Sequence, residues 1–409
     1  MGTLLSAAFR EQVKNTKDIS QKNEMRYSVS YPTGFLNLDF ANGYIQELED
    51  GSKYFQLGLS DGSINMVISD SGVGKTTLCT QAACNIIKPF KTSCLFVEQA
   101  EVGTNIERIK NLAGLDTEEY NNRVIVRDAG ITIESVYNRV KTVHDIKVNN
   151  PDDYMYDTGL VDYKGKVFKY EPTIFIIDSV KMVLSNKNAE ADETTNMSAA
   201  QNANANSQYY TKMVPLCREA NIILILINHI TTDINTGFLP KKSELPYLKQ
   251  GEHIAGGKSL TYIQNNIFRL DIKSKLKAED TFGILGSIVN VDIVKSRTNN
   301  SDRGRCTLVF DQTLGYDSDL SLLLLLKDNK ILEGSGAYLK LPGYDNKFTQ
   351  KNFKEKLYSD PEFYNVFVSV CLNYLKDELL AAHERIKKNN ETKLNTKAPY
   401  QAILEQLNG

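Results

Sequence analysis

The chain has 409 residues, of which 41% are hydrophobic and 24% charged, and its formal net charge is −2. These values are ordinary for a globular protein, and the length suggests two or three domains. The near-neutral charge excludes overall basicity as a means of binding nucleic acid, so any such contact depends on local basic patches.

The N-terminal residues, one internal apolar run and the cysteines predict a cytoplasmic protein without a membrane partner. The first residues contain neither a long apolar run nor an early basic run, so no signal peptide is predicted. The apolar run at 320–326 is far too short to span a bilayer. The six cysteines include no CxxC pair, which favours free thiols over zinc or disulfides.

In chain order, an N-terminal arm precedes an α/β core. Residues 1–32 are mostly polar with scattered lysine and arginine, which predicts an arm outside the core. Helical patterns then alternate with five apolar runs, which lie at 64–68, 94–97, 124–126, 174–177 and 222–227. This alternation predicts a mostly parallel sheet flanked by helices, within a core of residues 33–318.

The stretch "INMVISDSGVGKTT" (64–77) predicts a phosphate-binding loop, because an apolar strand enters a small-residue loop that opens a helix. In such loops Lys75 reaches the β- and γ-phosphates and the Thr76 hydroxyl holds Mg²⁺. Ser69 stands where the usual motif begins with glycine. The expected nucleotide-binding residues are Ser71, Gly72, Val73, Gly74, Lys75, Thr76 and Thr77.

Two further strands end in acidic residues. The run "PTIFIIDSV" (172–180) ends in Asp178, which predicts a Walker B acid that positions Mg²⁺. The strand that begins near residue 94 is followed by an acidic turn with Glu98 and Glu101. Either carboxylate is a candidate for orienting the attacking water.

The strand at 222–227 ends in Asn228 and His229, at the edge where an open α/β sheet keeps its site. Long polar segments follow the strands of this site at 185–208 and 231–259. The second segment predicts a surface for a phosphate backbone. The residues expected to bind DNA there are Lys241, Lys242, Lys249 and Lys258, beside the aromatic residues Phe238 and Tyr247.

After residue 260 the pattern changes to strands with short turns. One of these strands ends in Lys295 and Arg297, two cations one residue apart, which indicate either solvated surface charge or a contact with an anion. From 319 to 409 the pattern is mostly helical, which predicts a small C-terminal region rich in helices.

In this order the motifs resemble the RecA-type recombinases, especially the UvsX-like recombinases of phages. The resemblance covers nearly the whole chain after residue 32. The segments that carry it are "TGFLNLDFANG" (33–43), "INHI" (227–230), "GGKSLTYIQNNIFRLDI" (256–272), "VKSR" (294–297) and "LLKDNKILEGSGAYLKLPG" (325–343).

The resemblance implies a role for each candidate residue. Glu101 best matches the catalytic carboxylate, with Glu98 as the rival, and His229 matches the sensor of the γ-phosphate. Lys295 and Arg297 match a basic pair that reaches into the ATP site of the next subunit. The family's adenine-stacking tyrosine has no clear counterpart, although Asn105 and Arg108 fall near its place.

The resemblance also implies a function and its partners. It predicts a DNA-dependent ATPase that uses ATP and Mg²⁺, forms helical filaments on single-stranded DNA and catalyses strand exchange with duplex DNA. The resemblance implies DNA loops near 185–198 and 231–258, and it adds Gly256 and Gly257, at the end of the second loop, to the expected DNA-binding residues. The arm would contribute to head-to-tail self-association. A single-strand-binding protein and a loading mediator are further expected partners. The expected location is the cytoplasm, in association with the nucleoid, or the host cytoplasm if the source is viral.

Two other functions fit parts of the same pattern. A hexameric helicase shares the phosphate loop, the Walker B acid and basic residues acting in trans, but it lacks the entry segment and the glycine-ended loop. A non-hydrolysing recombination mediator would keep the fold and bind ATP without turnover, and the departure at Ser69 is compatible with this.

Overall fold

The protein was analysed as a computed structural model, which describes residues 27–48, 50–101, 106–162, 165–186, 197–232, 245, 247–254, 257–277, 283–297, 304–335 and 338–395. Most of the predicted arm and most of both predicted DNA loops lie outside these ranges. Among the helices within them, none combines the length and the apolar character that crossing a membrane requires.

Most strands are short, and the longest ones belong to the main sheet. In chain order they are β1 (Ser30–Tyr31), β2 (Tyr44–Glu47), β3 (Lys53–Gln56), β4 (Leu59–Ser60), β5 (Ile64–Ser69), β6 (Leu95–Gln99), β7 (Val124–Arg127), β8 (Met155–Asp162), β9 (Gly165–Tyr170), β10 (Thr173–Asp178), β11 (Ile222–Thr232), β12 (Glu252–Ile254), β13 (Asn266–Leu276), β14 (Gly286–Ser296), β15 (Arg305–Asp311), β16 (Gly315–Asp317), β17 (Glu333–Ser335), β18 (Tyr338–Lys340) and β19 (Lys347–Thr349).

The helices connect these strands and form most of the C-terminal region. They are α1 (Leu36–Ala41), α2 (Lys75–Ile87), α3 (Ile106–Ala113), α4 (Thr117–Arg123), α5 (Ile133–Asn149), α6 (Pro151–Tyr154), α7 (Met197–Ala220), α8 (Gly257–Ile263), α9 (Ser318–Asp328), α10 (Phe353–Ser359) and α11 (Pro361–Asn395). A 3-10 helical turn at Val180–Met182 follows β10.

Among the described residues, the main sheet has the strand order β16-β15-β14-β13-β5-β11-β10-β6-β7, and β12 pairs with β11. From β13 to β7 all neighbours are parallel. From β13 to β16 they are antiparallel. The predicted α/β fold with a mostly parallel sheet is therefore confirmed, as are the five strands expected from the apolar runs.

Two hydrophobic layers cover the two faces of the sheet. Along β10, Ile174 and Ile176 belong to one layer, whereas Phe175 and Ile177 belong to the other. Helix α2 packs in the first layer, and helices α5 and α7 pack in the second. Because both faces are covered, β5 and β10 are buried along their whole length. This explains why their sequences are continuous apolar runs.

The two ends of the described chain pack against this core. Tyr27, Val29 and Tyr31, which fall within the predicted arm, are buried in the first hydrophobic layer. The C-terminal region consists of helices α9, α10 and α11 and a three-stranded sheet of β17, β18 and β19. The sequence pattern did not predict this small sheet, because its strands have only three residues each.

A buried lysine joins α5 to the end of α7 and to the segment before β10, and it makes stability depend on pH. Lys147 Nζ donates to the carbonyls of Glu171, at 2.6 Å, and Ala220, at 3.1 Å. Burial lowers the pKa of Lys147 to about 7. Above that pH the folded chain has lost a proton that the unfolded chain still binds, so the free energy of unfolding rises with pH.

We expect Lys147 to contribute up to about 1.4 kcal/mol per pH unit between pH 7 and 8.5. Thiols of the unfolded chain begin to titrate in the same interval, but they contribute equally to the wild type and to a Lys147 variant. Urea unfolding of the wild type and of Lys147→Met across this interval measures the contribution as a difference in slope. Equal slopes for the two proteins would show that Lys147 is protonated in the folded chain.

Candidate nucleotide-binding site

The loop between β5 and α2 has the backbone of an anion cradle. Gly72 and Gly74 adopt φ angles of 78° and 97°, which favour glycine, and Gly74 caps the N-terminus of α2. Ser69, which replaces the usual first glycine, does not have a positive φ. Its hydroxyl donates to the Asp70 carbonyl at 2.7 Å. Serine is therefore compatible with this loop, because glycine is not sterically required at that position.

Lys75 lies at the centre of the cradle. Its Nζ donates to Ser69 O at 3.2 Å, Ser69 Oγ at 3.1 Å and Asp70 O at 2.8 Å. Burial lowers the pKa of Lys75, and the carboxylates of Asp178 and Glu101 oppose this effect. The ammonium group is thus held by neutral oxygen atoms, which leaves its charge available to an anion.

Thr76 and Asp178 offer two oxygen atoms for a cation. Thr76 Oγ1 donates to Asp178 Oδ2 at 2.6 Å. Adjacent ligands of an octahedral Mg²⁺ lie about 3 Å apart, because each is about 2.1 Å from the ion. The pair therefore fits Mg²⁺ after a small separation. Burial raises the pKa of Asp178, which the Thr76 hydrogen bond opposes.

His229 bridges Lys75 and Glu101. Its Nδ1 is 3.3 Å from Lys75 Nζ, and its Nε2 is 2.8 Å from Glu101 Oε2. The ammonium group can only donate, so Nδ1 accepts and Nε2–H donates to the carboxylate. Glu101, Asp178 and His229 each offer one ligand atom within 4.8 Å of the others. Four predicted site residues are thereby joined in one cluster.

The cluster lies at the carboxyl edge of the parallel strands. His229 in β11 is level with Ser69 at the end of β5. Asp178 ends β10, and its carbonyl accepts from the Glu101 N–H at 3.0 Å just beyond β6. This is the edge where open α/β sheets bind ligands.

Glu98 and Glu101 occupy different environments. Glu98 has a side chain only 1% exposed and forms an ion pair with Arg139 of α5, with an Nε–Oε1 distance of 2.6 Å. Glu101 is 44% exposed in its side chain and contacts His229. The geometry therefore brings Glu101 into the cluster, where solvent reaches its carboxylate, and binds Glu98 to a helix.

Breaking the Glu98–Arg139 pair is expected to destabilise the fold. Arg139→Leu leaves a carboxylate buried without its cation, which costs about 3–5 kcal/mol. Urea unfolding measures this loss. The double variant Glu98→Gln, Arg139→Leu removes the buried charge and should recover a large part of it. A loss below about 1 kcal/mol in the single variant would contradict a structural role for the pair.

The other predicted nucleotide-binding residues lie around the same loop. Ser71 and Gly72 are exposed at its tip, whereas Val73 and Thr77 are buried. Arg108, near the place of the family's adenine-stacking tyrosine, is on α3, and its Nη2 is 3.4 Å from the Gln312 carbonyl. Asn105 lies outside the described residues.

Lys295 and Arg297 lie away from this cluster. Lys295 is level with Ile267 of β13, which is level with Met66 of β5. It is therefore about 10 Å from Ser69 along the strands and about 10 Å across the sheet. Both side chains donate to the last carbonyls of α8, Lys295 to Thr261 and Arg297 to Tyr262. Within one chain, the two cations are thus at the opposite edge from the phosphate loop.

Only part of the predicted DNA surface is described. Lys249 is exposed, and its Nζ is 3.8 Å from Asp271 Oδ1. Gly257 and Lys258 begin helix α8. Lys241, Lys242 and Gly256 lie outside the described residues, as do residues 187–196 of the first predicted loop.

The base of the second predicted loop is anchored by residues that sequence reasoning missed. Strand β12 pairs with the end of β11, so the loop leaves and re-enters the sheet side by side. Arg269 of β13 binds both oxygens of Glu252 in β12, at 2.7 and 3.0 Å, and Asp271 at 2.9 Å. The sequence offers one sign of this anchor: Arg269 is a charged residue within the otherwise apolar run "IFRL" (267–270).

The chain is similar to a known DNA repair and recombination protein. Over 214 residues the chain is 20% identical to the DNA repair and recombination protein RadB of Methanococcoides burtonii, covering 52% of this chain and 76% of that protein. No family model matches the chain. The similarity to RadB supports the resemblance to RecA-type recombinases as a whole and carries no information about the phage branch.

Proposed function

We propose that the protein is an ATP-dependent DNA recombinase of the RecA type that forms helical filaments on single-stranded DNA and catalyses homologous pairing and strand exchange. The observation that carries this proposal is the cluster of Lys75, His229, Glu101 and Asp178 at the carboxyl edge of the sheet. The name of RadB, a DNA repair and recombination protein, supports it.

Each residue of the cluster has a role in hydrolysis. Lys75 binds the β- and γ-phosphates, and the loop N–H groups complete the cradle. Thr76 and Asp178 would hold Mg²⁺, which would supply positive charge beside the phosphate oxygens. Glu101 orients the attacking water and accepts its proton. His229 lies between Lys75 and Glu101, in contact with both, where it senses the γ-phosphate.

The position of His229 supports coupling between ATP and DNA. Strand β11 runs from His229 directly into the second predicted DNA loop, and β12 brings that loop back to the sheet. A change in the contacts of His229 therefore acts on the strand that begins the loop. In this way, binding of the γ-phosphate orders the loop and raises the affinity for DNA.

Lys295 and Arg297 act on the ATP of the neighbouring subunit. Their position away from the phosphate loop of their own chain supports this role. Hydrolysis therefore occurs at subunit interfaces, and a head-to-tail contact whose rotation does not close produces a helical filament. The arm, a single-strand-binding protein and a loading mediator complete the assembly, in the cytoplasm or, for a phage protein, in the host cytoplasm.

Mixing two inactive variants tests the interface site. Lys75→Ala removes a residue of the cradle, and Arg297→Ala removes a cation donated to the neighbour. In an equimolar mixture, about a quarter of random interfaces combine an intact cradle with an intact donor. We expect DNA-stimulated ATP turnover near one quarter of the wild-type rate. A mixture no more active than its components would contradict catalysis in trans.

Strand exchange tests the proposed function itself. Circular single-stranded DNA and a homologous linear duplex should yield joint molecules in the presence of ATP and Mg²⁺, and a heterologous duplex should not. Electron microscopy of the same samples should show helical filaments. Closed rings without joint molecules would instead identify a hexameric helicase, and joint molecules formed equally by Lys75→Ala would favour a non-hydrolysing mediator.

A further inference from the structure

We propose that Tyr316 is a positioning residue for the phosphate loop, whose hydroxyl fixes the Val73 carbonyl so that the Gly74 N–H faces the bound phosphates. The inference rests on the proposed binding of ATP and deepens it. It concerns a residue of β16, a strand at the edge of the main sheet that carries no other candidate residue.

Tyr316 touches the loop where its backbone turns into α2. The tyrosine is 4% exposed, and its hydroxyl donates to Val73 O at 3.0 Å. A Cβ atom at Gly74 would lie only 3.0 Å from the same hydroxyl oxygen, whereas a Cβ at Gly72 would meet nothing within 4 Å. The loop is therefore supported at Val73 and Gly74 and open at its tip.

The geometry of the peptide bond makes this contact directional. A trans peptide is planar, so the Val73 carbonyl and the Gly74 N–H point in opposite directions. Because Tyr316 holds the carbonyl on the protein side, the N–H points away from the core towards the cradle. Glycine has the backbone freedom that a reversal of this peptide requires. A reversed peptide would turn a carbonyl oxygen towards the phosphates, and the Tyr316 hydroxyl opposes that reversal.

Tyr316 is itself held firmly. The side chain of Gln81 in α2 accepts from the Tyr316 N–H at 2.8 Å and donates to its carbonyl at 3.2 Å. The next residue, Asp317, caps α9 by accepting from the Leu320 N–H at 3.0 Å. The ring packs against Phe310 with a centroid distance of 5.0 Å. The hydroxyl therefore has a fixed position relative to the helix that the phosphate loop opens.

The test is the conservative variant Tyr316→Phe, which keeps the ring and removes the hydroxyl. Titration with ATP and Mg²⁺ should show a Kd about 3- to 10-fold higher than that of the wild type, the effect of losing one hydrogen bond. The KM for ATP should rise equally, with kcat within about twofold, because the hydroxyl acts on binding in the ground state. An unchanged Kd would overturn the proposal, and so would a fall in kcat with KM unchanged, which indicates a smaller folded fraction.

Tyr210→Phe is the matched control. Tyr210 of α7 is fully buried in the other hydrophobic layer, and its hydroxyl has no hydrogen-bond partner within the described residues. Its removal should leave the Kd for ATP unchanged. An equal rise in Kd for Tyr210→Phe would show a general effect of buried hydroxyls and overturn the proposal.

Gln81→Leu is the second variant, and it keeps the test decisive if Tyr316→Phe folds poorly. It removes both bonds to the Tyr316 backbone and should raise the Kd in the same direction. The double variant should show less than the product of the two single effects, because both act through one contact. A rise in the Kd of the double variant equal to the product of the two single effects would overturn the proposal. Failure of the wild type to bind ATP would refute the proposed function instead.

Discussion

Lys75→Ala is expected to lower kcat/KM for ATP by about 10²–10³-fold. The side chain supplies the cation of the cradle and contacts His229 at 3.3 Å. Its loss removes the charge that we propose stabilises the γ-phosphate, and it removes a hydrogen bond to the His229 ring. DNA-stimulated turnover and joint-molecule formation should therefore fall together. Steady-state ATP hydrolysis with single-stranded DNA measures the first effect.

Lys88→Ala provides the matched control for this variant. Lys88 follows the last residue of the same helix, is exposed and donates to the Gly114 carbonyl at 3.0 Å. It has the same charge as Lys75 but lies one helix length from the cradle. We expect turnover within about twofold of the wild type. Comparable losses in the two variants would show that Lys75 acts through net charge or folding rather than at the phosphates.

Glu101→Gln is expected to lower kcat by about 10²–10⁴-fold while ATP remains bound. The amide keeps the shape of the side chain but cannot accept a proton from water. It can still accept a hydrogen bond from His229 Nε2 through its carbonyl oxygen, so the ring should keep its position. Filaments should therefore assemble with ATP and persist. Single-turnover hydrolysis, with the Kd for ATP measured in parallel, separates chemistry from binding.

Glu98→Gln distinguishes the two carboxylates that the sequence leaves open. Glu98 is buried against Arg139, so its substitution should reduce the free energy of unfolding and leave the kcat of the folded fraction within a few-fold of the wild type. The reverse pattern, with normal turnover in Glu101→Gln and a large loss in Glu98→Gln, would assign the catalytic role to Glu98.

Local patterns predicted the fold and the centre of the site. The strands at 64–68 and 174–177 are buried on both faces, so their apolar runs were continuous and unambiguous. Asp178 and His229 follow the apolar runs at 174–177 and 222–227 within two positions, and Lys75 opens the helix after the loop that follows the run at 64–68. Because parallel strands present their carboxyl ends at one edge, the spacing alone was sufficient to predict that these side chains meet.

Local sequence patterns could not predict the contacts between distant parts of the chain. Tyr316 meets Val73 across 243 positions, and nothing in the run around Tyr316 distinguishes a supporting tyrosine from an ordinary core residue. The choice between Glu98 and Glu101 depends on Arg139, which is 41 positions from Glu98 on another element. Pairing of this kind follows from tertiary packing, which has no local periodicity.

Predicting the position of Lys295 and Arg297 also required the register of the sheet. The alternation around them predicted a strand but not its direction relative to β5. Because β14 is antiparallel to β13, its end lies beside the start of β5 rather than beside the phosphate loop. This placement is compatible with a role towards a neighbouring subunit and incompatible with direct contact to the loop of the same chain.

The central claim is that a neighbouring subunit completes the ATP site when the protein is assembled on DNA. The most direct measurement is ATP turnover without DNA, with single-stranded DNA and with duplex DNA, at several protein concentrations. We predict strong stimulation by single strands, with a rate per subunit that rises steeply with protein concentration. A rate per subunit that depends neither on DNA nor on concentration would contradict the claim, since the site would then be complete within one chain.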